Sequence, residues 1–159
     1  MQNRKLKTEL RLINMENVAV EQVEWLLYPF IPYGKVTIIQ GDPGEGKTTM
    51  VLQIIAKLTK GQSVLPVVDG EEEPAERAEP VNVIYQTAED GLGDTIKPRL
   101  LAAGADCSKV LVIDDSDQPL TMLDERLEQA IRQINARLVV LDPIQSFLGA
   151  EVDMHRANE

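Results

Sequence analysis

Cysteine is nearly missing from this chain, and its single instance sets a first limit. One thiol, Cys107, among 159 residues can close no intramolecular disulfide and build no multi-cysteine metal site, so no oxidising compartment is implied. Long apolar runs are missing too. No stretch of about 18 uninterrupted apolar residues offers a membrane span, and the opening MQNRKLKTEL is polar where a secretory signal carries its apolar centre. The expectation is a cytoplasmic protein with no membrane partner. Positive charge is in short supply: Lys and Arg number 16 against 26 Asp and Glu, for a formal net charge of −10. General binders of nucleic-acid backbones present a Lys/Arg excess to the polyanion, and this segment does not. That exclusion has a boundary, because a ring-shaped assembly can be acidic outside and still carry basic loops in its channel.

Part of the acidity is local. Between Pro66 and Pro80 the chain carries Asp69, Glu71, Glu72, Glu73, Glu76 and Glu79 against Arg77 alone. A solvated surface insertion over 66–80 explains this more simply than a docking site for a basic partner. The rest has an ordinary hydrophobic fraction of 43%, enough for one sizeable core. Residues 1–24 read as an N-terminal leader, basic and weakly patterned at first, and 25–159 as the core proper.

Within that core, strand and helix signals alternate. Trp25, Leu26, Leu27, Phe30 and Ile31 are expected to pack beside a first strand, Lys35–Gln40, whose Val36, Thr37, Ile38 and Ile39 suit a central strand covered on both faces. A glycine-rich turn follows, then a helix over Lys47–Lys60 that is apolar round most of its circumference and so predicted to be buried, with Gly61 stopping it. Val81–Gln86 is a second predicted strand. Asp94 is placed to cap a helix running to Ala103, with Pro98 in its first turn and Gly104 ending it. Val110–Ile113 is a third strand, Leu123 to Ile134 an amphipathic helix, and Leu138–Leu141 a fourth strand. Such alternation predicts an α/β fold, an open and mostly parallel sheet with helices on both faces, whose ligands sit at the carboxyl ends of the strands.

At the end of the first predicted strand stands Gly41-Asp42-Pro43-Gly44-Glu45-Gly46-Lys47-Thr48-Thr49, which matches G-x-x-x-x-G-K-[ST] between a strand and a helix. A chance match in this length has odds on the order of 1 in 200 from ordinary residue usage. The glycines let successive N–H groups turn inward toward phosphate oxygens, and the helix dipole adds attraction. Lys47 supplies a mobile positive charge to the β- and γ-phosphates, Thr48 a hydroxyl for Mg²⁺, and Thr49 a donor to the α-phosphate. The expected ligand is therefore MgATP, held by residues 41 to 49.

A phosphate loop of this kind needs a carboxylate on a neighbouring strand to hold the magnesium shell. Two runs compete, Leu138-Val139-Val140-Leu141-Asp142 and Val110-Leu111-Val112-Ile113-Asp114. Asp142 is preferred, because it follows a full crossover helix and a run apolar on both faces; Asp114 and Asp115 remain the alternative pair. Pro143 stands where some such ATPases keep a water-activating glutamate, so the base must come from elsewhere. Glu89, with Asp90 beside it, ends the second predicted strand at the same edge of the sheet, where it can orient and deprotonate a water in line with the γ-phosphate. A loop or capping pair is the plainer reading of Glu89–Asp90 taken alone. No Arg-rich lid of the sort a nucleotide kinase closes over its phosphates is visible.

These residues resemble the RecA-like ATPases of hexameric replicative helicases, the RepA and DnaB type, especially the AAA-family ATPases of phages, plasmids and mobile elements. The resemblance covers about Trp25 to Leu148. It rests on Trp25-Leu26-Leu27-Tyr28-Pro29, Ile31-Pro32-Tyr33-Gly34-Lys35, the glycine-rich loop, Thr87-Ala88-Glu89-Asp90, Asp94 to Leu100 with Gly104-Ala105-Asp106, the strand end Ile113-Asp114-Asp115, and Leu141-Asp142-Pro143-Ile144-Gln145. It implies Glu89 as catalytic base, Lys47 and Thr48 as phosphate and magnesium groups, and Asp142 as a carboxylate behind the magnesium. Gln145 matches a glutamine that relays nucleotide state to DNA-facing loops, although a buried or helix-capping amide explains it equally well. The resemblance further implies single-stranded DNA as partner, a homo-hexameric ring, and a first channel loop beginning near His155 and Arg156. A lone histidine in a polar tail is more often solvated and idle. The further strands, second channel loop and arginine finger of that family do not follow Glu159. Since such a finger is worth about 10³ to 10⁵ in rate, the expectation is a chain that binds ATP and hydrolyses it slowly.

Overall fold

A computed structural model of the chain describes residues 10–65 and 79–149. Residues 1–9 of the leader, 66–78 of the acidic insertion, and 150–159 with His155 and Arg156 lie outside the described residues. Two compact units divide the chain, Met1–Thr37 and Ile38–Glu159. In the first, β1 (Trp25–Leu27) and β2 (Ile31–Pro32) pair antiparallel. Trp25 and Tyr28 meet edge to face with ring centroids 5.3 Å apart, and the Thr37 hydroxyl donates to the Phe30 carbonyl at 3.2 Å. The aromatic-rich lead-in thus folds on itself as a short hairpin.

The second unit is built on a three-stranded parallel sheet in the order β4-β3-β5, where β3 is Asn82–Thr87, β4 is Val110–Leu111 and β5 is Ala136–Asp142. The sheet joins α1 (Lys47–Thr59), α2 (Lys97–Ala102) and α3 (Glu125–Ile134) in an α/β architecture, as the alternating pattern predicts. Central β3 is buried along Val83–Gln86, and alternation sends Val83 and Tyr85 to one face and Ile84 and Gln86 to the other. Val83 and Tyr85 form the core with Leu52 and Ile55 of α1, Leu100 of α2, and Ile96 just before it. Gln86, only 1% exposed, spends its amide on the backbone of one residue. Its Nε2 donates to the Ile113 carbonyl at 2.9 Å, and its Oε1 accepts the Ile113 N–H at 3.1 Å. This imitates a further rung between β3 and the segment after β4, and leaves no buried polar group unmet.

Glycines end the first two helices by the same device. After α1 the N–H of Gly61 (φ 62°) donates to Leu58 and that of Gln62 to Lys57; after α2 the N–H of Gly104 (φ 79°) donates to Leu101 and that of Ala105 to Leu100. A Schellman cap of this form needs a left-handed residue, which glycine supplies without a Cβ penalty. At α3 the Asp124 carboxylate accepts the Arg126 N–H at 2.9 Å and caps the N-terminus, while Asn135 (φ 50°) takes the left-handed position at the far end.

Three expectations are corrected. Lys35–Gln40 is not a sheet strand: it joins no ladder, the boundary between the two units falls inside it, and Val36 and Ile38 are 71% and 68% exposed. Apolarity on both faces marks a central strand only where neighbours pair on both edges, and the described residues place only β3 against β5. Helix α1 is buried on one face, through Leu52, Ile55, Ala56 and Leu58, while Met50 stays 47% exposed. Asp94 caps no helix start. The turn opens at Gly91, whose carbonyl accepts from Ile96 at 3.0 Å, so Leu92–Ile96 forms one wide turn and Asp94 lies inside it.

Candidate nucleotide site

The loop from Gly41 to Gly46 reaches α1 through two residues with positive φ, Gly44 at 85° and Gly46 at 82°. A Cβ at either would meet nothing within 4 Å, so the demand for glycine here is conformational and not one of space. Gly46 caps α1 with no side-chain hydrogen bond, which leaves the first N–H groups of the helix to be met by something other than a capping residue. At Gly41 an added Cβ would collide with the Glu45 carboxylate, whose Oε2 folds back to accept the Asp42 N–H at 2.8 Å. Lys47 curls over the same turn. Its Nζ donates to the carbonyls of Gly41 and Asp42 at 2.8 and 2.7 Å, which occupies two of an ammonium's three donors and holds the charge at the mouth of the loop.

From the other side comes β5. Its last residue, Asp142, accepts at Oδ2 from the Thr48 hydroxyl at 3.0 Å, across 94 positions of sequence. A second hydroxyl meets the same oxygen, that of Tyr85 on β3 at 2.8 Å. Tyr85 has 0% exposure, and burial first, with the hydrogen bond to Asp142 and its negative charge behind, pushes the phenol far above its ordinary value. The phenol therefore remains a neutral donor at any physiological pH.

Glu89 lies just past the tip of β3. Thr87 is in register with Asp142, the Ala88 N–H donates to the Asp142 carbonyl at 3.2 Å, and Glu89 follows as an exposed residue. The Thr87 hydroxyl accepts the N–H groups of Glu89 (3.4 Å) and Asp90 (3.2 Å) and so fixes the turn. Asp90 makes an ion pair with Arg99 at 3.6 Å. Asp114 sits on the far side of β3, exposed. Its Oδ1 accepts from the hydroxyl and N–H of Ser116, bonds that hold its carboxyl below the usual carboxylate range. Gln145 is exposed in the short turn Ile144–Phe147. A cavity of about 530 Å³ lies at the carboxyl ends of β3 and β4, lined by Thr87, Asp90, Asp114 and Asp115 among others, and it does not include the loop.

Thr48 and Asp142 thus come together, with Lys47 on the same loop and Glu89 one residue beyond the backbone rung to Asp142. The Asp114–Asp115 pair, on the other side of β3 from β5, does not join them. Sequence reasoning missed Tyr85 and Gln86. Their hydroxyl and amide carry no local signal, because each partner is remote in sequence; a polar group at a position otherwise patterned for burial was the trace available. Among the described residues no group of three or more His, Cys, Asp or Glu could hold a metal by itself. A hydroxyl and a carboxylate in mutual contact are hard oxygen donors of the kind magnesium takes when phosphate and water supply the rest of its shell, so this pair fits that ion.

Among the described residues no helix is long and apolar enough to cross a membrane. No solved structure gives a significant match. Among curated proteins, the chain is 28% identical over 136 residues to the DNA repair protein RadA of Halalkalibacterium halodurans, covering 86% of this chain and 24% of that protein. It is 27% identical over 148 residues to the circadian clock oscillator protein KaiC of Parathermosynechococcus lividus, covering 86% and 25%. The RadA of Bacillus subtilis is 27% identical over 119 residues, covering 75% and 20%. The chain spans a quarter or less of the length of these relatives. The family profile of the AAA domain matches residues 2–159, nearly the whole chain, and with the glycine-rich loop and parallel sheet in place the protein belongs to the AAA-domain family of RecA-like P-loop ATPases.

Proposed function

We propose that this chain binds MgATP at Gly41–Thr49 and hydrolyses it, as part of a ring-forming DNA translocase or helicase. The observation that carries the reading is the Thr48–Asp142 hydrogen bond, which joins the start of α1 to the tip of β5 beside the glycine-rich turn. Backbone N–H groups of the turn and of the first turn of α1 bind the phosphates, and Lys47 leaves the loop carbonyls to bridge the β- and γ-phosphates. Thr48 would hold the magnesium through its hydroxyl oxygen while its O–H goes on donating to Asp142. Magnesium, when bound, neutralises charge that develops on the transferring phosphoryl group. Glu89, from the tip of β3, accepts the proton of the attacking water. Glu89→Gln is expected to keep ATP affinity near wild type and to cut turnover by about 10² to 10⁴. Normal turnover in that variant removes Glu89 as base and makes Asp90 the next candidate.

The relatives name two directions, DNA repair for RadA and a clock oscillator for KaiC. DNA translocation is the first reading, since the sequence resembles ring helicases at both strand tips. A regulatory switch that never engages DNA is the second. ATP turnover measured with and without single-stranded DNA, at low and moderate salt, separates them. Stimulation that fades with salt is expected; none at low salt, where phosphate contacts are strongest, leaves the switch.

A further inference from the structure

We infer that Tyr85 is a positioning residue of the nucleotide site, holding Asp142 so that one carboxylate oxygen is committed to hydroxyls and the other serves a water on the magnesium. The inference rests on reading the site as one for MgATP. Two hydroxyls, Tyr85 at 2.8 Å and Thr48 at 3.0 Å, converge on Oδ2 of Asp142. Thr48 is itself a magnesium donor in that reading. Tyr85 is anchored by packing instead. Its ring is fully buried among Leu52, Ile55, Val83, Ile96 and Leu100, and it projects from the central strand of the sheet. β3 and β5 are in register through this region, with Tyr85 opposite Val140 and Thr87 opposite Asp142, so the phenol reaches toward the strand tip along its own face.

A carboxylate with one rigid donor on a fixed oxygen has its rotamer set before any ligand arrives. Partners that orient a ligand in this way are typically worth about 10- to 100-fold in metal affinity or activity. Packing alone does not account for the hydroxyl, because phenylalanine would fill the same core volume without placing a polar group there to be satisfied. The Tyr85 ring belongs to the core, and its oxygen belongs to the site.

The test uses the whole chain and a fluorescent N-methylanthraniloyl ATP, with affinity measured in EDTA and across a magnesium titration. Wild type is expected to bind more tightly as magnesium rises. Tyr85→Phe is expected to match wild type in EDTA and to need about tenfold more magnesium for half its effect. In an Asp142→Asn background, Tyr85→Phe should shift the midpoint no further, since a positioning residue acts only through what it positions. An unchanged midpoint in Tyr85→Phe, or a shift that persists in full without the Asp142 carboxylate, overturns the inference. If wild type itself ignores magnesium, the MgATP reading falls, and the role given to Tyr85 with it. A second measurement leaves Tyr85 intact. With Tyr28→Phe and Tyr33→Phe, Tyr85 is the last of three tyrosines, and its Raman doublet reports the phenol as a donor. The doublet should report a phenol donating to a strong acceptor in the Asp142 protein with or without magnesium and ATP, and should shift once Asp142 is Asn; a doublet unchanged by Asp142→Asn also overturns the inference.

Discussion

Glu45 is the residue whose chemistry runs against its position. A carboxylate in the middle of the glycine-rich loop adds like charge where the proposed triphosphate would sit, and here it is turned back onto the Asp42 N–H at 2.8 Å, close over Gly41. That bond stabilises the loop without a ligand, and the charge would oppose the proposed one. Glu45→Gln keeps the size and removes the charge. It is expected to tighten ATP binding about two- to fivefold, in line with an exposed charge interaction of under about 1 kcal/mol, as read by titration at low salt; weaker binding would show that the carboxylate supports the bound loop. The start of α1 at Lys47 after a glycine-rich turn was legible because a contiguous motif brings its own geometry. The contacts of Tyr85 and Gln86 were not, since Tyr85 meets Asp142 across 57 positions and Gln86 meets Ile113 across 27. Only the cross-strand register creates such pairs.

At the scale of elements, caps and periodicity did most of the predicting. Gly61 and Gly104 end α1 and α2 as their positions suggest, and the amphipathic stretch before Ala136 is a helix. Asp94 misled because Asp near a helix start is a capping signal, while the glycine before it opens the turn earlier. The true acidic cap is Asp124. Its carboxyl is held below the usual range by the Arg126 side chain first and the Arg126 N–H second. A carboxyl whose folded value is depressed adds stability that is present above its unfolded value and lost as pH falls through the folded one. Asp124→Ala should therefore lower the melting temperature at neutral pH, and the gap to wild type should narrow below about pH 4. A gap unchanged between pH 7 and pH 3 would mean that the charge of Asp124 contributes nothing. Lys35–Gln40 shows the limit of local pattern. Its residues read as a buried strand, yet burial needs a partner strand, and no local pattern supplies one.

For the molecule as a whole, the α/β architecture and the glycine-rich loop lay open in the sequence, and membership of the AAA-domain family agrees with both. The net charge of −10 is compatible with a site that draws a polyanion by backbone N–H groups and one lysine, since such attraction is local and needs no basic surface. Binding at that local site is the property to measure in solution. Titration calorimetry of ATP with magnesium into wild type and Lys47→Ala tests it most directly. Wild type should bind one ATP per chain saturably, and Lys47→Ala should bind about 10- to 100-fold more weakly, the loss of a charged hydrogen bond to phosphate. Equal affinity in the two proteins, or no binding in wild type, would contradict it.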